Sequence, residues 1–168
     1  MYKNLKIVKV DYRYCDYLRK FDNKVAYNKN EKELRPFIGI LFEIDNFEYF
    51  APLSSPKEKH KSMKNTLDFF KIDGGELGAV NFNNMIPVSS RNYSIIDLHK
   101  ETLTIEEFKY QKLLIEQLNW LNANYYQVKN KSLKLYKLYN NGNLPQNIKL
   151  RCCNFKLLEE KCKEYNSI

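Results

Sequence analysis

The sequence predicts an α+β fold, in which a compact, twisted antiparallel sheet or small barrel is covered by flanking helices. Strand-like apolar runs fill most of the first 100 residues, and helical patterns follow them. Strands grouped before helices are typical of α+β proteins. The 168 residues are enough to bury a core without disulfides, so we expect a single domain over residues 1–168.

The first part of the chain predicts a capped helix between strands. Asp11 is the expected N-cap of a short helix over 11–21, and the polar residues 22–36 predict a loop. Asp45-Asn46 predicts a hairpin turn that follows one nearly continuous strand, FIGILFEI. The predicted strands cover residues 5–10, 37–44, 47–53, 67–72, 76–82 and 85–90.

The second part predicts helices that pack one apolar face on the sheet. Thr104 and Glu107 form a capping box at the start of a long helical run. The run SLKLYKLY is predicted to be helical and to end at the Gly/Pro stop NNGNLP, and Asn154 should cap a last helix. An apolar stripe recurs at i+3/i+4 spacing: Leu114, Leu118, Leu121, Tyr125 and Val128.

The charge of the chain indicates a polyanionic partner. The net charge is +8, and residues 125–158 contain no Asp or Glu but seven Lys or Arg. Such a one-signed stretch favours nucleic acid or an anionic membrane surface, although a biased genome could enrich lysine with no partner at all. We expect RNA contacts from Lys129, Lys131, Lys134, Lys137 and Arg151.

The four cysteines and the two histidines predict no metal site. No C-x-x-C pair occurs, and neither histidine lies at zinc-ligand spacing from a cysteine. The sequence has no signal-peptide core and no apolar run long enough to cross a bilayer. We therefore expect a reduced, cytoplasmic protein with packed thiols, no cofactor, no metal and no membrane partner.

The segment APLSSPKEKHK, residues 51–61, is the strongest candidate site. Pro56 restricts the backbone, so the flanking side chains are held in place. Ser54 and Ser55 can donate hydrogen bonds to phosphate oxygens, Lys57 adds a cation, and His60 can exchange protons near neutral pH. A plain surface loop, with His60 as a structural residue, is the alternative interpretation.

Other polar segments allow two interpretations each. The asparagines Asn81, Asn83 and Asn84 could read base edges or close turns, and the turn is the favoured interpretation. The tyrosines that alternate with lysines in NYYQVKNKSLKLYKLY could stack on single-stranded RNA or form a core face. Neither G-x-G-x-x-G nor G-x-x-x-x-G-K-[ST] occurs.

The scattered carboxylates favour a reaction that needs no metal ion. RNA allows such a reaction because its 2′-hydroxyl can attack the neighbouring phosphate. DNA lacks that nucleophile, so phosphoryl transfer at this site favours RNA as the substrate. A non-catalytic RNA-binding protein remains the alternative.

Three ordered segments resemble the ToxN/AbiQ family of endoribonuclease toxins from type III toxin–antitoxin systems. These segments are RPFIGILFEI, YFAPLSSPKEKH followed by DFFKI, and LGAVNFNNMIPV. The resemblance implies a twisted barrel-like sheet related to the MazF/Kid toxins, and metal-independent cleavage that leaves a 2′,3′-cyclic phosphate. It also implies a repeat-derived RNA pseudoknot as antitoxin, closed cyclic toxin–RNA assemblies, cellular or phage mRNA as substrate, and abortive infection against phage.

The resemblance also implies a set of site residues. The family motif P-L-[ST]-S-P-K matches Ser54, Ser55 and Lys57, with Lys57 stabilising the phosphorane and Ser55 bonding a phosphate oxygen. A family tyrosine on the first helix matches Tyr14, and Arg35 matches a basic residue before the F-I-G-I strand. The remaining expected RNA contacts are Tyr27, which is nearest to a further family tyrosine, Lys59, which replaces a family aromatic, and His60.

Overall fold

The computed structural model describes residues 4–27 and 35–167, and within them the chain forms eight strands and six α-helices. The strands are β1 Lys6–Val10, β2 Pro36–Gly39, β3 Glu43–Ile44, β4 Phe47–Ser54, β5 Phe69–Lys71, β6 Ala79–Asn81, β7 Ile86–Val88 and β8 Tyr93–Ile95. The helices are α1 Tyr12–Arg19, α2 Glu58–Ser62, α3 Ile105–Ala123, α4 Tyr125–Asn140, α5 Gln146–Lys149 and α6 Phe155–Asn166.

The strands form an antiparallel sheet in the order β5-β6-β4-β2-β1-β8. The strand β4 is its centre, because it pairs with β2, β3, β6 and β7 along its length. The predicted antiparallel sheet with flanking helices is confirmed. The described strands leave the sheet open, with β5 and β8 at the two ends, so it is not the closed barrel that was the other expectation.

The predicted strand over 37–44 is interrupted, which is a difference from the sequence analysis. β2 ends at Gly39 and β3 begins at Glu43. Leu41 donates its backbone N–H to Tyr49, and Tyr49 donates to Phe42, so the intervening residues bulge against β4. Leu41 and Phe42 are both buried, which explains the continuous apolar run without a continuous strand.

Helix boundaries follow the polar caps read from the sequence. Asp11 accepts the Arg13 N–H at the start of α1, and Thr104 and Glu107 form the expected capping box of α3. The expected continuous run after residue 104 is broken at Asn124, whose φ of −111° and ψ of 26° are not helical. The Asn124 side chain donates to the Trp120 carbonyl at 2.9 Å, a contact that competes with helix continuation.

The core joins the sheet to the C-terminal helices through aromatic side chains. Tyr49 of β4 and Tyr136 of α4 both donate to the buried Glu159 carboxylate, at 2.7 and 2.6 Å. The rings of Tyr49 and Phe155 pack edge to face at 6.1 Å. These contacts fix α6 against the half of β4 that lies away from Ser54.

The cysteines serve packing, as expected from the sequence. Cys15, Cys152, Cys153 and Cys162 are free and buried. Burial raises the pKa of the Cys15 thiol to about 12, so this thiol stays protonated near neutral pH.

Across the described ranges, no helix is both long enough and apolar enough to span a bilayer.

Candidate active site

The candidate site forms where β4 ends and the chain turns into α2. Ser54 is the last residue of β4 and pairs with Ala79 of β6. Ser55, Pro56 and Lys57 follow it and are exposed. The sheet thus holds one end of the segment rigidly, while the side chains after it face solvent.

Ser54 Oγ lies between two nitrogen donors. Asn81 Nδ2 donates to it at 2.7 Å, and Arg35 Nη2 donates at 3.0 Å. A serine hydroxyl has two acceptor lone pairs and one O–H donor. With both lone pairs filled, the Ser54 hydroxyl hydrogen remains available for an acceptor such as a phosphate oxygen.

The backbone of Ser54 is packed so closely that one neighbour must be glycine. Gly78 has φ of +97°, and a Cβ there would overlap the Ser54 carbonyl oxygen. Gln117 of α3 donates to the Leu77 carbonyl at 2.7 Å and lies 3.5 Å from the Ser54 carbonyl oxygen. The helix therefore supports the strand end from one side.

His60 fixes the turn that presents Lys57. Its Nδ1 accepts the Lys57 backbone N–H at 3.2 Å, and its own backbone N–H donates to the Lys57 carbonyl at 2.9 Å. The side chain is buried, with its ring 5.7 Å from that of Phe69. Burial, followed by the Lys57 and Lys59 ammonium groups, lowers the pKa of His60, which keeps the imidazole neutral.

The site carries positive charge. Arg35 lies against Ser54, and burial lowers the pKa of its guanidinium without removing its charge at neutral pH. Lys57 forms no ion pair with any residue in the described ranges, whereas Lys61 on the next turn pairs with Glu58 and Glu76. Along the chain, Ser55 therefore lies between Ser54, which Arg35 contacts, and the exposed Lys57.

The structure contradicts the assignment of Tyr14 to this site. The Tyr14 side chain is fully buried, and its hydroxyl donates to the Pro87 carbonyl at 2.6 Å. Pro87 pairs with Tyr49, five residues before Ser54, which is roughly 17 Å along an extended strand. Tyr14 is therefore a core residue that ties α1 to β7.

His60 also needs correction as an expected RNA contact. Only 3% of the residue is exposed, so it cannot reach a bound strand and instead positions Lys57. This agrees with the structural alternative in the sequence analysis. Lys59 on the same turn is exposed, and its predicted contact with RNA stays a prediction.

Tyr27 lies beside α1. The residue is 59% exposed, and the Arg19 guanidinium carbon lies 4.9 Å from its ring centroid. Its predicted RNA contact remains a prediction, because the residues between it and Arg35 lie outside the described ranges.

The basic residues of α4 do not all face solvent in the same way. Lys129 donates to the Tyr125 hydroxyl at 3.1 Å, and Lys131 lies 5.2 Å from the Phe70 ring centroid. Lys134 and Lys137 are exposed, three residues apart, on one face of the helix. The outward-facing part of the predicted basic surface is centred on these two residues.

Arg151 has a structural contact that the sequence analysis did not anticipate. Its Nε and Nη2 donate to both oxygens of the buried Asp68 carboxylate, at 3.0 and 2.9 Å. Thr66 donates to the same carboxylate at 2.8 Å. The arginine therefore fixes the segment before β5, although half of its side chain is exposed.

Asn81 and Gln117 are the site residues that the sequence analysis missed. Asn81 was interpreted as a turn residue or base reader, yet it bonds Ser54 Oγ. Gln117 lies on a helix stripe that is otherwise apolar and is 1% exposed, which is unusual for a polar side chain. That polar residue among apolar neighbours was the only sequence signal for it.

Among the described residues, no three His, Cys, Asp or Glu side chains form a group that could hold a metal ion. The side chains at the end of β4 offer hydrogen bonding and positive charge. The donors come from Arg35, just before β2, from Ser54 at the end of β4 and from Asn81 at the end of β6, and such groups suit a phosphate.

Comparisons with known proteins identify relatives of this chain. A family model described as Toxin ToxN, type III toxin-antitoxin system, matches residues 6–163. The chain is 36% identical over 166 residues to Endoribonuclease ToxN of Bacillus thuringiensis subsp. kurstaki, covering 96% of this chain and 84% of the relative.

Two solved structures share the fold over nearly their whole length. A type III toxin that a non-coding RNA pseudoknot selectively inhibits superposes with a TM-score of 0.79 at 32% identity, covering 99% of this chain and 100% of that chain. AbiQ, a lactococcal anti-phage endoribonuclease, gives a TM-score of 0.82 at 28% identity with the same coverage.

Proposed function

The chain belongs to the ToxN family of type III toxin–antitoxin toxins and is an endoribonuclease, and we propose that it cuts RNA at the end of β4 without a metal ion. The observation that carries this proposal is Ser54 Oγ, which accepts from Asn81 and Arg35 beside the exposed Ser55 and Lys57. Because the chain is an endoribonuclease, the alternative of a non-catalytic RNA-binding protein is excluded.

The proposed reaction is an intramolecular phosphoryl transfer. The ribose 2′-oxygen forms a bond to phosphorus and loses its proton, while the bond from phosphorus to the 5′-oxygen breaks. The leaving 5′-oxygen takes up a proton. The products are one strand that ends in a 2′,3′-cyclic phosphate and one that begins with a 5′-hydroxyl.

The residues of the site have separate proposed roles. Lys57 stabilises the negative charge that grows on the nonbridging oxygens and is placed to pass a proton to the leaving oxygen. Ser55 donates to a nonbridging oxygen. Ser54 donates its free hydrogen to the substrate, because Asn81 and Arg35 occupy its lone pairs.

Two exposed side chains provide the direct test of this site. We expect Ser55→Ala and Lys57→Ala to abolish RNA cleavage and growth arrest, with thermal unfolding unchanged. Matched controls are Ser62→Ala and Lys64→Ala, which change exposed residues of the same types a few positions away and should stay toxic. Full toxicity of both site variants would refute the assignment.

The metal-independent mechanism has its own test. Cleavage in excess EDTA should proceed at the rate measured without it, and mass spectrometry of the products should show 2′,3′-cyclic phosphate ends. A rate that collapses in EDTA and recovers with Mg²⁺ would contradict the mechanism while leaving the endoribonuclease activity intact.

We propose that a non-coding RNA pseudoknot is the inhibitor of this toxin, as for the related toxin of known structure. The acid-free stretch from Tyr125 to Leu158 supports a broad electrostatic contact, with Lys134 and Lys137 facing outward and Lys129 and Lys131 beside them. Cellular or phage mRNA is the proposed substrate. We also propose that the chain and its RNA inhibitor form closed cyclic assemblies and that the toxin acts against phage in the cytoplasm.

The basic face of α4 can be tested by salt dependence. Removing two phosphate contacts with Lys134→Ala plus Lys137→Ala should reduce the slope of log affinity against log salt by about 1.4 for a single strand and about 1.8 for a duplex. A slope equal to that of the unaltered chain would exclude these lysines from the RNA surface.

A further inference from the structure

We propose that a second subsite, for an RNA nucleotide a few positions away from the cleaved one, lies in a cavity at the start of α1. This inference rests on the proposed function and names how the substrate strand continues from the site. The cavity has a volume of about 300 Å³ and lies at the ends of β1 and β8. Its lining includes Lys9, Asp11, Tyr12, Arg91 and Asn92.

Asn92 lines the cavity and has a buried hydrogen-bonding group with no partner among the described residues. The residue is 7% exposed, and its Oδ1 has no hydrogen-bond partner in the part of the chain that the structure describes. Its backbone is fixed at both ends, since Asp11 donates to its carbonyl at 2.8 Å and its own N–H donates to Ser89 at 2.9 Å. A carboxamide presents a donor beside an acceptor, which is also the pattern on a nucleobase edge.

The charges around the cavity suit a phosphate backbone. Lys9 and Arg91 are exposed cations on two neighbouring elements. The one carboxylate of the lining, Asp11, already accepts the Arg13 N–H at 2.9 Å as the cap of α1. The excess of positive charge therefore faces solvent, where a phosphate can reach it.

Tyr12 provides a surface for stacking. It is 39% exposed, and the Arg13 guanidinium lies 5.7 Å from its ring centroid. Single-stranded RNA is commonly held by bases that stack on such rings or on arginine planes while cations hold the backbone. The cavity thus combines the three contacts that one nucleotide needs, to base edge, base face and phosphate.

The sheet places this cavity within reach of the cleavage site. Lys9 pairs with Pro36, whose neighbour Arg35 donates to Ser54 Oγ. The path crosses from β1 over β2 to β4, so the backbones of Lys9 and Ser54 lie roughly 10 Å apart at the usual strand spacing, while the register directs their side chains to opposite faces at the same end of the sheet. A stacked strand advances about 3.4 Å per nucleotide, so an RNA that passes around this end of the sheet reaches the subsite at least about three nucleotides from the cleaved phosphate.

The test measures binding of RNA that cannot be cleaved, so it does not depend on catalysis. Fluorescence anisotropy would compare 2′-O-methyl oligonucleotides of about 4 and about 12 nucleotides, the range of single-strand sites in proteins. Lys9→Ala plus Arg91→Ala should weaken binding of the longer RNA by about tenfold and lower its salt slope by about 1.4. Lys20→Ala plus Lys163→Ala removes the same charge from exposed residues elsewhere and is the matched control.

A second measurement separates base stacking from charge. Abasic nucleotides placed one at a time along the longer RNA should reveal one position where the unaltered chain loses affinity. Tyr12→Leu should abolish the sensitivity at that position, and Tyr12→Phe, which keeps the ring, should retain it.

The outcomes distinguish this subsite from the cleavage site. Equal affinity and salt slope for the Lys9/Arg91 variant and its control would overturn the subsite, as would abasic sensitivity that survives Tyr12→Leu. Failure of the proposed function would appear instead as unchanged cleavage in Ser55→Ala and Lys57→Ala.

Discussion

Asn81 Nδ2 donates to Ser54 Oγ at 2.7 Å, which joins the end of β6 to the last residue of β4. Together with the Arg35 donor at 3.0 Å, this bond sets the direction in which the Ser54 hydroxyl can donate. A neighbouring side chain, and not the serine alone, thus determines how Ser54 faces the substrate. Asn81 is in this sense a positioning residue.

Asn81→Asp tests that direction because the side chain keeps its size. The carboxylate would accept the Ser54 hydrogen, which would then be lost to the substrate. We expect kcat to fall by about 10- to 100-fold and KM to change little. This fall in kcat is at or below the low end of what removal of a direct transition-state donor causes. Lowering the pH toward the carboxyl pKa should narrow the difference in kcat between the variant and the unaltered chain. Asn83→Ala is the control, and a kcat unchanged in Asn81→Asp would remove Asn81 from the mechanism.

Gly78→Ala should inactivate the enzyme by moving Ser54. The residue has φ of +97°, and an added Cβ would overlap the Ser54 carbonyl oxygen, so the strand end must shift. Gly142→Ala is the matched control, because Gly142 also has positive φ, +78°, but no atom lies within 4 Å of its added Cβ. The control should lose about 1–2 kcal/mol of unfolding free energy and keep its activity.

Chemical denaturation and a cleavage assay on both glycine variants would check this prediction. Gly78→Ala should be less stable than the control and should lose cleavage. Two variants of equal stability and equal activity would show that the close approach to Ser54 is unimportant.

His60 should make the folded state less stable in acid. Its folded-state pKa is lowered, mainly by burial, so the unfolded chain binds the proton more strongly. The free energy of unfolding should therefore decline as the pH drops below about 6.5, the unfolded value, and level off below the folded pKa. Protonation of Nδ1 would also remove the acceptor of the Lys57 N–H, so cleavage should decline over the same range.

Urea unfolding at a series of pH values would measure this effect. His60→Asn keeps a side-chain acceptor but cannot titrate, so its stability should depend less on pH between 7 and 5. His99→Asn changes an exposed histidine and is the matched control for the substitution. Identical curves for His60→Asn and the unaltered chain would contradict the prediction.

Arg151→Ala should affect stability more than RNA affinity. The change removes the bidentate hydrogen bonds from Arg151 to the buried Asp68 carboxylate, although Thr66 still donates to that carboxylate. Because half of Arg151 is exposed, we expect a loss of about 1–2 kcal/mol, below the range for fully buried pairs. Its effect on RNA affinity should not exceed that of Lys134→Ala. Chemical unfolding and RNA-binding anisotropy, each measured on Arg151→Ala and Lys134→Ala, would check this prediction. An Arg151→Ala variant that keeps its stability but loses more RNA affinity than Lys134→Ala would contradict it and support Arg151 as an RNA contact.

Much of the fold was predictable because local signals act over a few residues. Asp11, the Thr104–Glu107 pair and Asn154 each start a helix where the sequence predicted one, since a cap needs only its own next turn. The break at Gly39 and the short strand β8 escaped prediction because they depend on pairing with β4 and β1, which are distant in sequence. The single-domain organisation remains a prediction, supported by one core cluster that includes residues from Leu5 to Cys162.

By itself the sequence determined that an α+β chain with an acid-free basic stretch carries the segment Ser54–Lys57 after a buried strand. It did so because apolar periodicity, caps and charge are properties of neighbouring residues. Only the tertiary structure decided that Asn81 and Arg35 meet at Ser54, that Tyr14 belongs to the core and that His60 positions Lys57. Those relationships are set by strand register and by burial, which bring together side chains that no spacing along the chain connects.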